Sequence, residues 1–565
     1  MSLLARFRRL SRQDRTEAVD DPAGDPATGR STKRRVATAV GTVLSFLFVL
    51  FALIAPNDVN RFTPGAFVRI PLEALLGAAL VLGLPAGVRR PVVAVVGAVL
   101  GLLLVLKIID MGFFMVLARP FDPVLDWTFI TAGVDFLTES IGRAGAIGAV
   151  VGAVVLVVAV LVLTILSVLR LARVVVAHRK TTTRTVVVLT MAWVSCAVLG
   201  AHIVPGVPIA ADSAAMLAYD HSQQVRAGLR DEEVFAAQAA DDIFRDTPGD
   251  QLLTGLRGKD VIISFVESYG RVAIEDPELA PQVDAVLDEG TRRLRAAGFA
   301  SRSAFLTSPT AGGGSWLAHA TLLSGVWADN QQRYNNLVTS DRLTLNGTFR
   351  RAGWRTTLVM PALTQAWPEA DFFASDRVYG VDDLGYQGPK FSFAPMPDQY
   401  TLSAFQRLER AQPDRAPVMA EIPLVSSHAP WTPIPQLVDW NDVGDGSIFG
   451  PMAKGADVAD AGRGDSSRVR TQYRRSIEYS LNTLISYVET YGDDNLVLVF
   501  LGDHQPAPVV TGAGAGRDVP ITIVAHDPAV LERISGWGWQ DGLNPDPKAP
   551  VWSMDAFRDK FLKAF

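Results

Sequence analysis

Between Val36 and Val204 the chain carries five apolar runs, at Val36–Ala55, Ala66–Leu84, Pro91–Leu106, Ala144–Leu169 and Thr185–Val204. A helix rises about 1.5 Å per residue and the hydrocarbon core of a bilayer is about 30 Å thick, so about 20 apolar residues make a span. The sequence therefore predicts an N-terminal α-helical membrane domain of five spans, and whatever follows must fold outside the bilayer. The second run, which contains Glu73, is the weakest, and the third continues past Lys107 and Asp110 towards Phe114. These runs raise the hydrophobic content of the 565-residue chain to 49% and its mean hydropathy to +0.21.

Basic residues set the expected orientation. Residues 1–35 hold Arg6, Arg8, Arg9, Arg12, Arg15, Arg30, Lys33, Arg34 and Arg35 among Asp, Gly and Pro, the composition of a disordered cytoplasmic tail. Arg89 and Arg90 follow the second run, and Arg170, Arg173, Arg179, Lys180 and Arg184 follow the fourth. The segment between the third and fourth is acidic instead, with Asp110, Asp122, Asp126, Asp135 and Glu139. The expectation is a multi-pass plasma-membrane protein with a cytoplasmic N-terminus and everything after about Pro205 outside. The predicted divisions are a tail at 1–35, a membrane domain at 36–205, a helical connector at 206–255 and an extracytoplasmic domain at 256–565. The connector rests on Ala211–Ile243, poor in Gly and Pro, which suits either the membrane surface or a face of the globular domain. A net charge of -5 argues against general nucleic-acid binding, and Cys196, the only cysteine, excludes an intrachain disulfide and a Cys-rich zinc site.

From about Leu256 onward, strand-like runs alternate with helical patterns. The runs are Val261–Val266, Thr356–Met360, Val418–Val425, Asn495–Leu501 and Pro520–Ala525. The helical patterns are Pro281–Ala297, Leu317–Leu323, Tyr400–Ala411 and Tyr473–Tyr491. This alternation predicts an α/β domain with a mostly parallel central sheet. Gly444–Ser467, rich in Gly, Asp and Ala, reads as a mobile loop.

Three stretches carry chemistry. The run Val261–Val266 stops at Glu267-Ser268-Tyr269-Gly270, placing a carboxylate where open α/β sheets bind ligands. A lone Glu there is more often a solvated rim residue. A second run, Leu496–Leu501, stops at Gly502-Asp503-His504-Gln505-Pro506. Asp and His together suit a divalent cation of intermediate softness, such as Mn²⁺ or Zn²⁺. Third, Ser308-Pro309-Thr310-Ala311-Gly312-Gly313-Gly314-Ser315 is a Gly-rich loop that delivers Ser315 to the start of a helix. Glycines allow close backbone approach, and a helix N-terminus favours an anion. Ser315 is either a helix N-cap or a metal-activated nucleophile.

In this order the three motifs resemble the alkaline phosphatase/sulfatase superfamily, most closely its membrane-anchored branch of lipoteichoic acid synthases (phosphoglycerol transferases) and phosphoethanolamine transferases. That branch is similar in layout, five spans followed by an extracytoplasmic α/β domain. The resemblance implies metal ligands Glu267, Ser315, Asp503 and His504, with Ser315 also the nucleophile, and it matches Ser324 nine positions further on. It implies that His428 of His428-Ala429-Pro430 binds the substrate phosphate. The branch usually has Thr as nucleophile, which leaves Thr310 as a rival to Ser315. Ser315-Trp316-Leu317-Ala318-His319 lacks the Pro and Arg of the sulfatase formylglycine motif. Trp367-Pro368-Glu369 stands where the synthases have Trp-x-Arg, so Trp367 is a substrate-binding candidate while Glu369 leaves the headgroup open. His319, one helical turn after Ser315, either contacts the substrate or packs in the helix. His526 reads as a turn residue, and Trp316, Trp327 and Trp431 line a pocket or simply pack.

The implied function is a metal-dependent transferase. It would move a phosphoglycerol- or phosphoethanolamine-type group from a lipid phosphodiester donor to a cell-envelope glycan or lipid acceptor, through a Ser-linked intermediate. One divalent ion is expected, Mn²⁺ first, then Zn²⁺ or Mg²⁺. The alternatives are a phosphodiesterase or sulfuric-ester hydrolase on the same scaffold, and a non-catalytic glycan-binding membrane protein.

Overall fold

The computed structural model describes residues 26–204, 207–453 and 466–565. Most of the expected basic tail and the centre of the expected loop at Gly444–Ser467 lie outside the described residues. Residues 26–35, assigned to the tail from sequence, are helical instead, because the first helix already begins at Pro26.

Five helices form the membrane domain: α1 (Pro26–Ile54), α2 (Leu72–Gly83), α3 (Ala86–Leu117), α4 (Trp127–Ala177) and α5 (Arg179–Val198). Four segments, Arg34–Ile54, Ala86–Leu117, Ile141–Ala177 and Arg179–Val198, are long and apolar enough to cross a membrane. The expected span Ala66–Leu84 is not a continuous helix. It resolves into a 3-10 turn at Pro64–Phe67, a short pairing of Ile70–Pro71 with Ala210–Ala211, and the 12-residue α2. Pro64 and Pro71 each stop the helix from extending backwards, and α2 is about 18 Å long.

Hydrogen bonds fix the helix directions. Lys107 Nζ donates to the carbonyls of Ala52, Leu53 and Ala55 at 3.0, 3.2 and 2.8 Å, so the late part of α3 lies against the end of α1. Arg170, late in α4, donates to Thr38 O and Thr42 Oγ1 near the start of α1. Helices α1 and α3 therefore run the same way and α4 runs against them. Between α1 and α3 the chain returns through α2.

A long helix, α6 (Ser213–Ala240), joins the two parts of the molecule. Its first amides, of Ala214 and Ala215, donate to Glu73 Oε1 at 2.9 Å. His221 Nε2 lies 3.3 Å from the buried carboxylate of Asp110 on α3. Further along, Asp231 takes a bidentate pair from Arg333 at 2.6 Å, and Phe235 is buried in the globular core. The connector thus binds the membrane helices with its first half and the globular domain with its second.

The globular domain is built on nine strands: β1 (Asp260–Val266), β2 (Ala300–Thr307), β3 (Arg355–Val359), β4 (Arg377–Tyr379), β5 (Val418–Leu424), β6 (Leu496–Gly502), β7 (Asp518–Ala525), β8 (Gln540–Asp541) and β9 (Val551–Ser553). Their order is β8-β2-β7-β6-β1-β5-β3-β4, with β9 alongside β2. Pairings from β6 through β4 are parallel, while β7 runs antiparallel to both β6 and β2. Strand β1 is buried along its whole length. Its alternate residues face opposite ways: Ile262 and Val266 join one apolar cluster, Val261, Ile263 and Phe265 the other. On one face lie α7 (Ala280–Ala296) and the long helix Ser466–Tyr491; on the other lies α8 (Ser315–Ser324).

Candidate active site

The parallel register of β1 and β6 sets the site. Val266 is level with both Gly502 on β6 and Leu424 on β5, so the residues just past these ends, Glu267, Asp503 and Val425, come out side by side. Gly502 is required there, because a Cβ would lie 1.8 Å from the carbonyl oxygen of Tyr269. Glu267, Asp503 and His504 form the one group of three such side chains among the described residues placed to hold a metal ion, their ligand atoms within 4.8 Å of one another. All three are buried.

Ser315 arrives from the other side of the sheet. After β2, Ser308 Oγ donates to Asp503 O at 2.6 Å and the Gly312 amide to Gln505 O at 2.8 Å. Three successive glycines, Gly312, Gly313 and Gly314, then take positive φ and turn the chain into α8. Gly314 is the N-cap and Ser315 is the first helical residue. The capping alternative for Ser315 is thereby removed: its Oγ donates to Glu267 Oε2 at 3.0 Å and lies 3.3 Å from His504 Nε2. Thr310, the rival hydroxyl, donates to Gly313 O at 2.5 Å within the loop.

Each ligand candidate is oriented by neighbours. Asp503 Oδ1 accepts from the amides of Ser268 and His504, both at 2.7 Å. Its Oδ2 is buried without a hydrogen-bond partner among the described residues. His504 Nδ1 lies 2.9 Å from Gln505 O, which can only accept, so Nδ1 carries hydrogen and Nε2 faces Glu267 Oε1 at 3.3 Å. Ser268, at φ 59, donates its hydroxyl to Glu267 Oε1 at 3.0 Å, and Tyr473 holds Ser268 O at 2.9 Å.

The electrostatics are those of a cation site. Burial and the charge of Glu267 push the Asp503 carboxyl up to about 7, against the partial relief of His504. Burial pulls His504 down, but Asp503 and Glu267 outweigh it and hold the imidazole at about 9. Burial raises Glu267 too, yet the charges of His504 and His428 and the His504 hydrogen bond hold it well below the usual carboxylate range. Two carboxylates, an imidazole and a hydroxyl around an unpartnered oxygen fit a divalent ion of intermediate softness.

Of the other candidates, His319 lies near enough to act on Asp503 and His428 on Glu267. His319 stacks on Phe265 at 3.8 Å, and its Nδ1 lies 3.0 Å from Glu421 Oε1. Glu421 sits mid-strand in β5 with 1% exposure, where a charge needs a partner. The sequence reading passed over Glu421, although a carboxylate inside the apolar run Val418–Val425 was the available signal. His428 stacks on Phe393 at 3.7 Å. Trp367 packs on Phe373, and its ring partners among the described residues include none of the four central ones. His526, read as a turn residue, pairs with Asp494 at 2.9 Å at the far end of β7.

No family model matches the chain, and no curated protein does. Among solved structures, three of those it is similar to are the following. The lipoteichoic acid synthase LtaP from Listeria monocytogenes is 14% identical with a TM-score of 0.35, over 58% of this chain and 76% of that one. The Streptococcus pyogenes phosphoglycerol transferase GacH, in complex with sn-glycerol-1-phosphate, is 12% identical with a TM-score of 0.35, over 59% and 90%. The periplasmic domain of EcEptC from Escherichia coli, in complex with Zn, is 14% identical with a TM-score of 0.32, over 48% and 73%. At these identities and scores, function rests on the site itself.

Proposed function

We propose that this chain is a membrane-anchored, metal-dependent transferase of the alkaline phosphatase type, moving a phosphoryl-alcohol group from a lipid phosphodiester to a cell-envelope hydroxyl acceptor. The observation that carries the reading is Ser315 Oγ at 3.0 Å from Glu267 Oε2 and 3.3 Å from His504 Nε2, beside Asp503 Oδ2, which lies 3.6 Å from His504 Nε2 and has no hydrogen-bond partner among the described residues. Glu267, Asp503, His504 and Ser315 would hold the ion, Mn²⁺ or Zn²⁺ by donor chemistry. When bound, it supplies positive charge to the phosphoryl oxygens and favours the Ser315 alkoxide.

Ser315 Oγ gives its proton to the Glu267 carboxylate and bonds to phosphorus. The bond from phosphorus to the lipid alcohol oxygen breaks, and His319, held through Nδ1 by Glu421, protonates the departing oxygen. An acceptor hydroxyl then gives its proton to His319 and bonds to phosphorus, the bond from phosphorus to Ser315 Oγ breaks, and Ser315 Oγ takes its proton back from Glu267. His428 contributes a phosphate contact. Water as acceptor would make the same machinery a phosphodiesterase.

The directions of α1 to α5 support a chain that traverses the membrane five times, with α2 as a short return. Together with the basic loops, this supports a cytoplasmic N-terminus and a sheet domain outside. There a lipid headgroup is the energised donor at hand.

Mass spectrometry of the purified full-length protein after incubation with phosphatidylglycerol or phosphatidylethanolamine tests the reading. The expected result is a phosphoglycerol or phosphoethanolamine adduct on Ser315, absent from Ser315→Ala, with metal content lost in Glu267→Ala. Bound metal with unchanged lipid and no adduct would overturn it.

A further inference from the structure

Helix α4 contains a second helix within it. Gly142 lies at φ 78 and ψ 161, a backbone region open essentially to glycine alone, and divides residues 127–141 from the span that follows. The first part carries two apolar stripes. At about 100° per residue, Trp127, Ile130, Val134 and Ile141 fall within about 60° of one another, and Phe129 and Phe136 fall on the opposite face.

The second stripe meets the candidate active site at two points. Phe129 packs on Trp316, the residue after Ser315, with ring centroids 5.4 Å apart. Two turns on, about 10 Å along the axis, Phe136 lies 6.2 Å from Phe393, whose other contact is the stacked ring of His428. These contacts straddle the ground between nucleophile and phosphate-binding candidate. The end of α3 closes the same side: a Cβ on Gly312 would lie 1.6 Å from Val116 O.

The first stripe is open at both ends: Trp127 is 59% exposed and Ile141 58%, with Ile130 at 38% and Val134 half-buried between them, while on the second stripe Phe129 is half-buried and Phe136 is 39% exposed. Residue 141 also opens the 37-residue apolar segment Ile141–Ala177, so this stripe cannot stand away from the bilayer that the segment enters. A helix with one face on protein and an apolar face at the head of a span has the form of an interfacial helix.

We propose that residues 127–141 lie in the headgroup layer of the membrane and hold the mouth of the Ser315 site against it, with Phe129 and Phe136 as positioning residues for a lipid-borne substrate. The substrate clause rests on the function proposed above, whereas the placement in the membrane does not.

Two measurements on the full-length protein in phosphatidylglycerol/phosphatidylcholine nanodiscs test it. In the first, nitroxide labels are placed through Ile130→Cys, Val134→Cys or Asp135→Cys in a Cys196→Ser background. Positions 130 and 134 should collide with oxygen and be shielded from a nickel chelate, and position 135 should show the reverse. Equal accessibility at 130 and 135 would overturn the placement. In the second, turnover of bilayer phosphatidylglycerol is compared with that of the soluble bis(p-nitrophenyl) phosphate. Phe129→Ala and Phe136→Ala should lower the lipid-to-soluble ratio at least tenfold, through a raised KM for lipid, with Phe129→Leu recovering part of the loss. An equal fall on both substrates would overturn the positioning role. A wild-type protein that turns over neither would defeat the function proposed above, and the label accessibilities would still decide the placement.

Discussion

At Asp503 one oxygen is tied by two amides and the other has no hydrogen-bond partner among the described residues, a costly arrangement unless a cation or proton completes it. Without a cation, protons take that place: burial and Glu267 push the Asp503 carboxyl up to about 7, and Asp503 and Glu267 hold His504 at about 9. Both values lie above those of an unfolded chain, about 3.9 and 6.5. The stability each proton gives is present below the unfolded value and lost as pH rises through the folded one. Chelated protein should therefore melt lower as pH rises from about 6 to about 9, and the increase in melting temperature on adding Mn²⁺ should widen over that range. Thermal scans with chelator and with metal check this; a metal-induced shift that shrinks with pH would count against the cluster. In the proposed mechanism Glu421 acts one step further out, through its 3.0 Å contact with His319 Nδ1. Glu421→Gln should lower turnover by roughly 10–100-fold, the usual cost of losing an orienting partner, while bound metal by plasma mass spectrometry stays unchanged.

Among the elements, those legible in the sequence are the ones whose burial leaves a pattern. Val261–Val266 and Leu496–Leu501 are apolar because both faces of β1 and β6 are covered, and their parallel register sets Glu267 beside Asp503. Strand β2 was missed because Ala300–Thr307 reads Ala-Ser-Arg-Ser-Ala-Phe-Leu-Thr, with no apolar run to mark it. Strand β7 was found, but its antiparallel direction depends on connections that local composition does not record. In Ala66–Leu84, summed hydropathy hid Pro71, which together with Pro64 just upstream confines helix to α2. Of the site, residue types at strand ends were readable, whereas the approach of Phe129, Phe136 and Glu421 depends on tertiary packing. Asp260, at the start of β1, is held below the usual carboxylate range: burial raises it, but Arg415, the Val418 amide and Arg410 prevail. Asp260→Ala should destabilise the protein by about 3–5 kcal/mol, since it leaves the 2%-exposed Arg410 side chain short of its buried partner. Thermal unfolding in detergent at neutral pH reads this out.

Over the whole molecule, the two parts are joined by more than a linker. Lys107, 1% exposed within α3, satisfies three carbonyls at the end of α1, and α6 extends that junction into the globular core. Lys107→Met should lower stability by about 1–3 kcal/mol through unsatisfied carbonyls, seen as an earlier melt of the membrane domain and faster proteolysis of α6. The contact of Gly312 with Val116 reaches further than stability. With backbone against backbone there, Ser315 is held at a fixed distance from the end of α3, with no tether on which to swing. On the function proposed above, Ser315 could not reach out to an acceptor, so each acceptor hydroxyl would have to come to the site.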